Sequence, residues 1–275
     1  MGIDSLLATI WSKTILTAFD RATVFGGLCN RDFEGDAQLG QTVKINTVGD
    51  PTISSYAAGG TLTYEEITTA AQSLLIDQGD SFSFKVDDIK AAQAAANAMP
   101  KSLVRAGRRL ALKADVYIAG LYTGVAAAND IGTVAITTAD LAYQNLVKLA
   151  QKLDEADVPE LGRWAVVPPW YYALLRLNNL FLANAATQGT TLRTGQVGQV
   201  LGMDVLKSNS VALITGDDYA VMAGVQDALT FANQINQTES LRLQTTFADA
   251  IRGLHVYGAK VIMNDGFALL RASIT

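Results

Sequence analysis

The chain contains one histidine, His255, and one cysteine, Cys29, and these two counts bound the chemistry open to it. No mechanism needing two imidazoles can be built, no intrachain disulfide can form, and no cysteine zinc site can be assembled from this chain alone. His255 lies in Leu254-His255-Val256-Tyr257, which reads as strand. A packed or interface side chain is therefore expected rather than a base, since a catalytic imidazole needs a nucleophile or carboxylate within reach. The most enzyme-like constellation is His255 with Asp249 and Arg252, and it stands only if the three meet in one pocket. Asp154, Glu155 and Asp157 gather at a predicted helix end where a cation could bind, but without ordered ligand spacing such a cluster reads as solvated surface. Gly195-Gln196-Val197-Gly198 with Gly202 suits turns better than dinucleotide or phosphate cradles, and Gly216-Asp217-Asp218 is a turn signal. Walker-type loops, G-x-G-x-x-G, G-x-S-x-G and H-E-x-x-H are all missing. The expectation is a protein with no catalytic, cofactor-binding or metal-binding residues, and not an enzyme.

Lys101, Arg105, Arg108 and Arg109 form the one basic cluster, on the polar side of a predicted helix whose polarity Leu112 and Val116 interrupt. Three uses stay open: a solvated or salt-bridged face, a subunit contact, or a touch on nucleic acid. No aromatic residue is interleaved with these cations to stack on bases. The whole chain carries 26 acids against 21 bases, a net charge of −5, so no global basic field draws in nucleic acid by counterion release. The start MGIDSLLATIW lacks a basic n-region and a small-residue cleavage pattern, and no apolar run reaches the ~20 residues of a bilayer-spanning helix. A soluble product, not exported by a classical route and without a membrane partner, is expected, and the single cysteine fits a reducing cytoplasm.

The elements that would position these residues follow from periodicity. With 49% hydrophobic residues over 275 positions, one large folded unit or two packed lobes are within reach. Leu6, Leu7, Ile10, Trp11, Ile15 and Phe19 fall close to a helical stripe, suggesting an arm that docks on something. Gln41 to Val48 alternates with period two and places Val43, Ile45 and Thr47 on one face, with Ser73 to Val86 as the expected return strand. The polar insertion between them has Ala57-Ala58-Gly59-Gly60 at its expected tip. Legs of about 20 residues at ~3.3 Å per residue would reach roughly 60 Å, too far to pack on the same domain, so such a hairpin gains its contacts from a neighbour.

From Asp87 to about Tyr122 the longest helix is expected, capped by Asp87 or Asp88, with Met99, Leu103, Ala106, Leu110, Ala114, Tyr117 and Leu121 on its core side. Pro100 should kink it or begin a second segment. Thr137 to Asp140 opens a helix through about Ala156, with Leu141, Leu146, Leu149 and Leu153 as its apolar positions. Trp164 to Val167 is a buried strand stopped by Pro168-Pro169 before a helix Trp170 to Leu182. Short strands follow at Met203 to Ser208, Val211 to Thr215, Tyr219 to Gly224 and Ala228 to Ala232. Leu241 to Met263 and Ala268 to Ala272 alternate as strand.

This order of elements resembles the major capsid proteins of tailed bacteriophages, the Hong Kong 97-like coat proteins. The likeness is carried by WAVVPPWYYALLRL from Trp164 to Leu177, by Val200-Leu201-Gly202-Met203 running to Ser208, by Ala212 to Asp217, and by Thr246 to Val261. It implies an α+β fold with residues 1–40 as an N-terminal arm and 41–86 as an extended β-hairpin loop. Residues 87–123 would be the spine helix of a peripheral domain, 124–240 an axial domain, and 241–275 strands returning to the peripheral domain. It further implies hexamers and pentamers that self-assemble through arm, hairpin and axial domain into an icosahedral shell around double-stranded DNA. Scaffolding and portal proteins and a decoration protein are the other partners implied, DNA is touched non-specifically at most, and the protein resides in the virion capsid after synthesis in the bacterial host cytoplasm. An encapsulin-like compartment shell, sharing the fold but enclosing cargo enzymes, is the alternative, and an enzyme with an unrecognised site around His255 is a second.

Overall fold

Three sheets and one long helix organise the computed structural model, which describes residues 13–34, 42–48, 52–53, 55, 64, 66, 69–87, 98–178, 199–243 and 248–274. A helix over residues 13–20 (α1) and the single turn Phe25–Leu28 (α2) come first. Strands Thr42–Val48 (β1), Thr69–Leu75 (β2) and Gln78–Asp87 (β3) follow, and then the long helix Ala98–Ala119 (α3). Next come Asp130–Ala135 (β4), Ala139–Glu155 (α4), Arg163–Val167 (β5) and Pro169–Leu177 (α5). The chain continues through Gln199–Val200 (β6), Met203–Lys207 (β7) and Tyr219–Gly224 (β8). It closes with Leu229–Arg242 (β9), Ala248–Val261 (β10) and Phe267–Ser273 (β11). Mixed helix and sheet is the expected class.

The six-stranded sheet, in the order β4-β11-β8-β5-β7-β6, is covered on both faces. Along β5, Ala165 and Val167 meet the apolar stripes of α4 and α5, while Trp164 and Val166 point into the core on the other side, so all five residues are buried. The helix that covers this sheet starts where its sequence directs, because the Thr138 hydroxyl accepts from the Leu141 N–H at the first turn. It buries Leu146, Leu149 and Leu153, with Leu141 half-buried. Pro168 and Pro169 end β5 and begin α5. That helix closes at Asn178, short of the expected Leu182; residues 179–182 lie outside the described residues.

The three-stranded sheet, β3-β10-β9, sorts its two faces by alternation. Phe82, Phe84, Phe231, Ile251, Tyr257 and Ala259 face α3 and α1. Ala232, Leu254 and Val256 face the other way, onto Val43, Ile45, Leu74 and Ile76 at the base of the β1-β2 hairpin. The layers therefore run hairpin base, sheet, long helix. Within α3, Leu103, Leu110 and Ala114 are buried as their spacing requires, and Ala106 and Tyr117 are half-buried.

Several expectations are corrected. The return leg of the hairpin is β2 alone, in register from Thr42↔Leu75 to Val48↔Thr69. The stretch Ser73 to Val86 breaks at Ile76-Asp77, where Ile76 buries into the hairpin-side core, and the chain then crosses to pair with β10 as β3. Asp87 is the last residue of β3, opposite Ala248; the helix start that Asp87 or Asp88 is expected to cap lies outside the described residues. Val211 to Thr215 holds one bridge, Leu213 to Tyr219, because Gly216 at φ +58 turns the chain back and the Ile214 N–H donates to the Asp218 carbonyl at 2.8 Å. The expected strand Ala228 to Ala232 continues to Arg242, through the polar run Gln234 to Glu239 that backbone pairing with β10 holds without alternation. Accordingly β10 begins at Ala248, not at Leu241. Pro100 sits in the first described turn of α3, and residues 88–97, which would show whether it kinks a longer helix or begins a segment, lie outside the described residues. Leu6 to Trp11, Ala57 to Gly60, Asp88 and Gly195 to Gly198 lie outside the described residues.

Candidate functional site

Polar anchors tie the layers together. Asp115, the lone acid of α3, is fully buried and accepts from the backbone N–H groups of Val24 at 2.7 Å and Gly26 at 3.1 Å. This fastens the one-turn helix α2 to the middle of α3. Burial raises the carboxyl to about 6, against the lowering influence of the Val24, Gly26 and Phe25 backbone groups. Gly107 permits the close crossing of α1 over α3, since a Cβ there would stand 2.7 Å from the Ile15 carbonyl oxygen. Sequence reasoning missed Asp115, although one acid in a helix whose other charges are all basic was a readable signal.

His255 is buried between the Tyr257 ring, stacked at 4.9 Å, and the Phe19 ring, edge-on at 4.9 Å. Neither ring nitrogen finds a partner among the described residues, and burial pushes the imidazole down to about 4, with Asp80 opposing. It is the packed residue that the strand pattern implies. Arg252 lies on the exposed face and pairs with Glu239 at 2.5 Å, while the Asp249 side chain lies outside the described residues. His255 and Arg252 do not share a pocket, so the condition for an enzymatic constellation is not met. Asp80, which no motif marked, accepts from the Tyr257 hydroxyl at 3.0 Å and pairs with Lys113 of α3.

The acidic cluster is engaged internally. Asp154 binds the buried Arg163 at 2.6 Å, and that guanidinium also donates to the Pro159 carbonyl at 2.9 Å and to the Val158 carbonyl. Glu155 accepts from Lys152 and Gln151, each at 2.8 Å, and Asp157 turns the chain at φ 53. Among the described residues no group of three or more His, Cys, Asp or Glu is placed to hold a metal ion. Burial pushes the Cys29 thiol far up, away from the thiolate that reactivity requires. Gly202 (φ +73) and Leu201 (φ 56) form the turn between β6 and β7, the one part of the glycine series that lies within the described residues.

Two uncovered surfaces remain. On the outer face of α3, Val104, Leu112 and Val116 make an exposed apolar stripe bordered by the exposed Lys101, Arg105, Arg108 and Arg109, none of which forms an ion pair with a described residue. A groove of about 660 Å³ runs between α1 and α3, lined by Lys13, Thr17, Arg21, Val104 and Arg108. Another of about 340 Å³ runs between β3 and α3, lined by Phe82, Arg105, Arg109 and Lys113. The second surface is the hairpin. Its base is pinned to the sheet, with Gln72 donating to the Ile262 carbonyl at 3.2 Å and Lys260 to the Ser73 carbonyl at 3.0 Å. Gly258 leaves room for the Leu75 carbonyl, which a Cβ would approach to 2.2 Å. Beyond this base in sequence, Ile53 is 96% and Tyr64 94% exposed, and Glu66 is exposed as well. Among the described residues no helix is long and apolar enough to cross a membrane.

A family model described as phage capsid protein matches residues 51–272. Among solved structures, one from Mycobacterium phage Che8 is 35% identical, with 90% of each chain covered and a TM-score of 0.72. The capsid of the cyanophage P-SCSP1u is 19% identical, covering 92% of this chain and 89% of that one, at a TM-score of 0.69. A virus-like particle from Pyrococcus furiosus is 11% identical, covering 96% and 99%, at a TM-score of 0.61; these last two speak to the fold alone. No curated protein sequence matches.

Proposed function

The chain belongs to the phage capsid protein family, with a Hong Kong 97-like fold and a structural role as major capsid protein of the virion, and from that premise we propose that copies of it form hexamers and pentamers of an icosahedral shell around double-stranded DNA. Self-association into a shell is the family's role. In this reading residues 1–40 are an arm, 41–86 the extended loop, 87–123 the spine, 124–240 an axial domain and 241–275 the strands that return to the peripheral domain, with β3 serving the peripheral sheet as well. The protein performs no catalysis. A portal, a scaffold and a decoration protein are its further partners, DNA is contacted without sequence preference, and synthesis occurs in the host cytoplasm before incorporation into the capsid.

The observation that carries this reading is the hairpin, whose base is fastened to its own subunit while Ile53 and Tyr64 stand almost wholly in solvent. Large apolar side chains held out in this way gain burial only from a neighbour. An encapsulin-like shell would share the architecture, but the 35% identity is to a phage structure. Negative-stain electron microscopy of the purified protein, with size-exclusion chromatography beside it, tests the reading. Closed shells, tubes or capsomer rings are expected; a strict monomer at every concentration, unaltered by a candidate scaffold, would overturn it.

A further inference from the structure

We propose that α1 is an acid-opened lid over His255, hinged at residues 21–24, with α2 as the fixed point that stays fastened to α3. The lid goes beyond the shell reading and belongs to the single subunit, whatever that subunit builds.

The buried imidazole is the first observation. His255 is wholly enclosed, yet neither ring nitrogen has a hydrogen-bond partner among the described residues. A neutral imidazole brings one donor and one acceptor, so the closed position forgoes two hydrogen bonds that water would supply. The ring also sits where the sheet is irregular, because the pairing of β10 with β9 shifts register between Leu254, opposite Gln237, and His255, opposite Ile235.

What covers the ring is the second. Tyr257 of the same strand stacks on it, and the Phe19 ring of α1 stands edge-on against it. Ile15, Ala18 and Phe19 are the side chains that α1 buries, so this helix is seated by apolar contact, with Asp20 and Arg31 as a partly exposed pair at 3.5 Å. The chain after the hinge is held differently. Asp115 accepts from the Val24 and Gly26 N–H groups, and Asn30 is bonded into β9, donating to the Leu229 carbonyl at 2.8 Å and accepting from the Phe231 N–H at 2.9 Å. Residues 21–24, between the two helices, have no regular structure. Polar pins thus lie on one side of the joint and apolar burial on the other.

Charge sets the direction. Asp80 of β3, opposite His255 in register, is the charged group that acts on the ring, and it is engaged by Lys113 of α3 and the Tyr257 hydroxyl. Tyr117 of α3 packs on Tyr257; β9 presents Ile235 and α1 presents Phe19. Covered, the imidazole is held near 4 against its ordinary 6.5, so opening takes up a proton and the open fraction should grow about 20-fold from pH 7 to pH 5. Asp115 runs the other way, near 6 in place against 3.8 when freed, and its neighbour Cys29 stays a neutral thiol throughout. If α1 and α2 left together the two titrations would largely cancel, leaving a gain of about twofold. Acid therefore selects the opening of α1 alone.

Hydrogen exchange of the full-length protein at pH 7 and pH 5, read by mass spectrometry and corrected for the intrinsic pH dependence of amide exchange, tests the lid. The opening constant of residues 17–21 should rise about 20-fold, while residues 24–28 and helix α4 change by less than about threefold. His255→Phe keeps an aromatic ring but cannot titrate, and should abolish the rise. Gly107→Ala, whose Cβ would press on the Ile15 carbonyl oxygen, should raise the opening of α1 at both pH values with α4 still protected, and should move the histidine value upward in a nuclear magnetic resonance titration. Exchange in α1 that does not respond to acid overturns the lid. An equal rise in α4 means global unfolding and overturns it too, and a rise shared by residues 24–28 overturns the hinge. A folded His255→Phe that keeps the acid response assigns it to another group. If that variant does not fold, the histidine value decides: an upward movement in Gly107→Ala supports the lid, and an unmoved value in a folded Gly107→Ala overturns it.

Discussion

The core between the six-stranded sheet and its helices α4 and α5 differs in kind from the core between α3 and the three-stranded sheet. The first is closed by Ala165, Val167, Val205, Leu146, Leu149 and Leu153, and its buried tyrosine finds a local acceptor, the Tyr171 hydroxyl donating to the Ala142 carbonyl at 2.8 Å. The second contains a carboxylate, an imidazole and the Asp80-Tyr257-Lys113 group. In the first, α4, β5 and α5, neighbours in sequence, interlock by shape, with Ala268, Leu270 and Ala272 of β11 completing the packing. In the second, segments 91 and 177 residues apart are joined, Val24 to Asp115 and Asp80 to Tyr257, and apolar packing alone would leave their register loosely set. Polar partners fix it, because only one alignment satisfies them. The cost is a core that titrates.

Charge placed in the apolar core should give the largest effect. Leu146→Asp puts an unpaired carboxylate among fully buried side chains and should cost about 5 kcal/mol or more, enough to prevent folding at any pH near neutrality. A soluble, cooperatively melting variant would break the contrast between the two cores.

The second core should answer to acid through two opposed titrations. Asp115, held near 6 in the fold against an ordinary value of 3.8, takes up its proton earlier when folded, so its contribution grows as the pH falls through 6 and is lost as the pH rises again. His255, held near 4 against 6.5, resists protonation when folded, so its contribution is complete above 6.5 and drains away as the pH falls towards 4. Each slope is about 1.4 kcal/mol per pH unit, and between 4 and 6 they offset. Asp115→Asn should therefore unmask the histidine, losing about 3 kcal/mol relative to the parent between pH 6.5 and 4 in urea unfolding. His255→Leu should do the reverse and gain relative stability over the same interval. Parallel pH profiles for parent and both variants would dissolve the distinction between the cores.

The same contrast explains what could be read from the chain alone. Helix α4, strand β5, helix α5 and the two sides of α3 are written in spacings of two to four residues, so Leu146, Val166, Leu110 and Arg105 fell where periodicity put them. The pairing of β3 with β10 was not readable, since Phe82 and Phe84 alternate equally well in any sheet. The polar half of β9 lacks alternation altogether and is strand because β10 offers it a backbone ladder. Asp80 lies in Gln78-Gly79-Asp80-Ser81, a stretch with no motif, and its meaning depends on a tyrosine 177 residues on. On the surface, the basic cluster of Lys101, Arg105, Arg108 and Arg109 was visible at once.

Lys113→Ala sharpens the comparison at its gentlest. The ammonium is 66% exposed and its partner Asp80 is 11% exposed, so the pair is worth about 0.5–1 kcal/mol and should weaken further as salt is added. The Asp80 carboxylate keeps the Tyr257 hydroxyl but loses its neutralising cation. Since Asp80 is the group that draws the His255 value upward, its field at the imidazole should strengthen, moving the histidine back towards its ordinary range and making the variant less sensitive to acid than the parent. Nuclear magnetic resonance titration of the single imidazole reads this without interference from any other histidine. An upward movement ties the surface pair to the buried ring, and an unmoved or lowered value would mean that Lys113 acts at the surface alone.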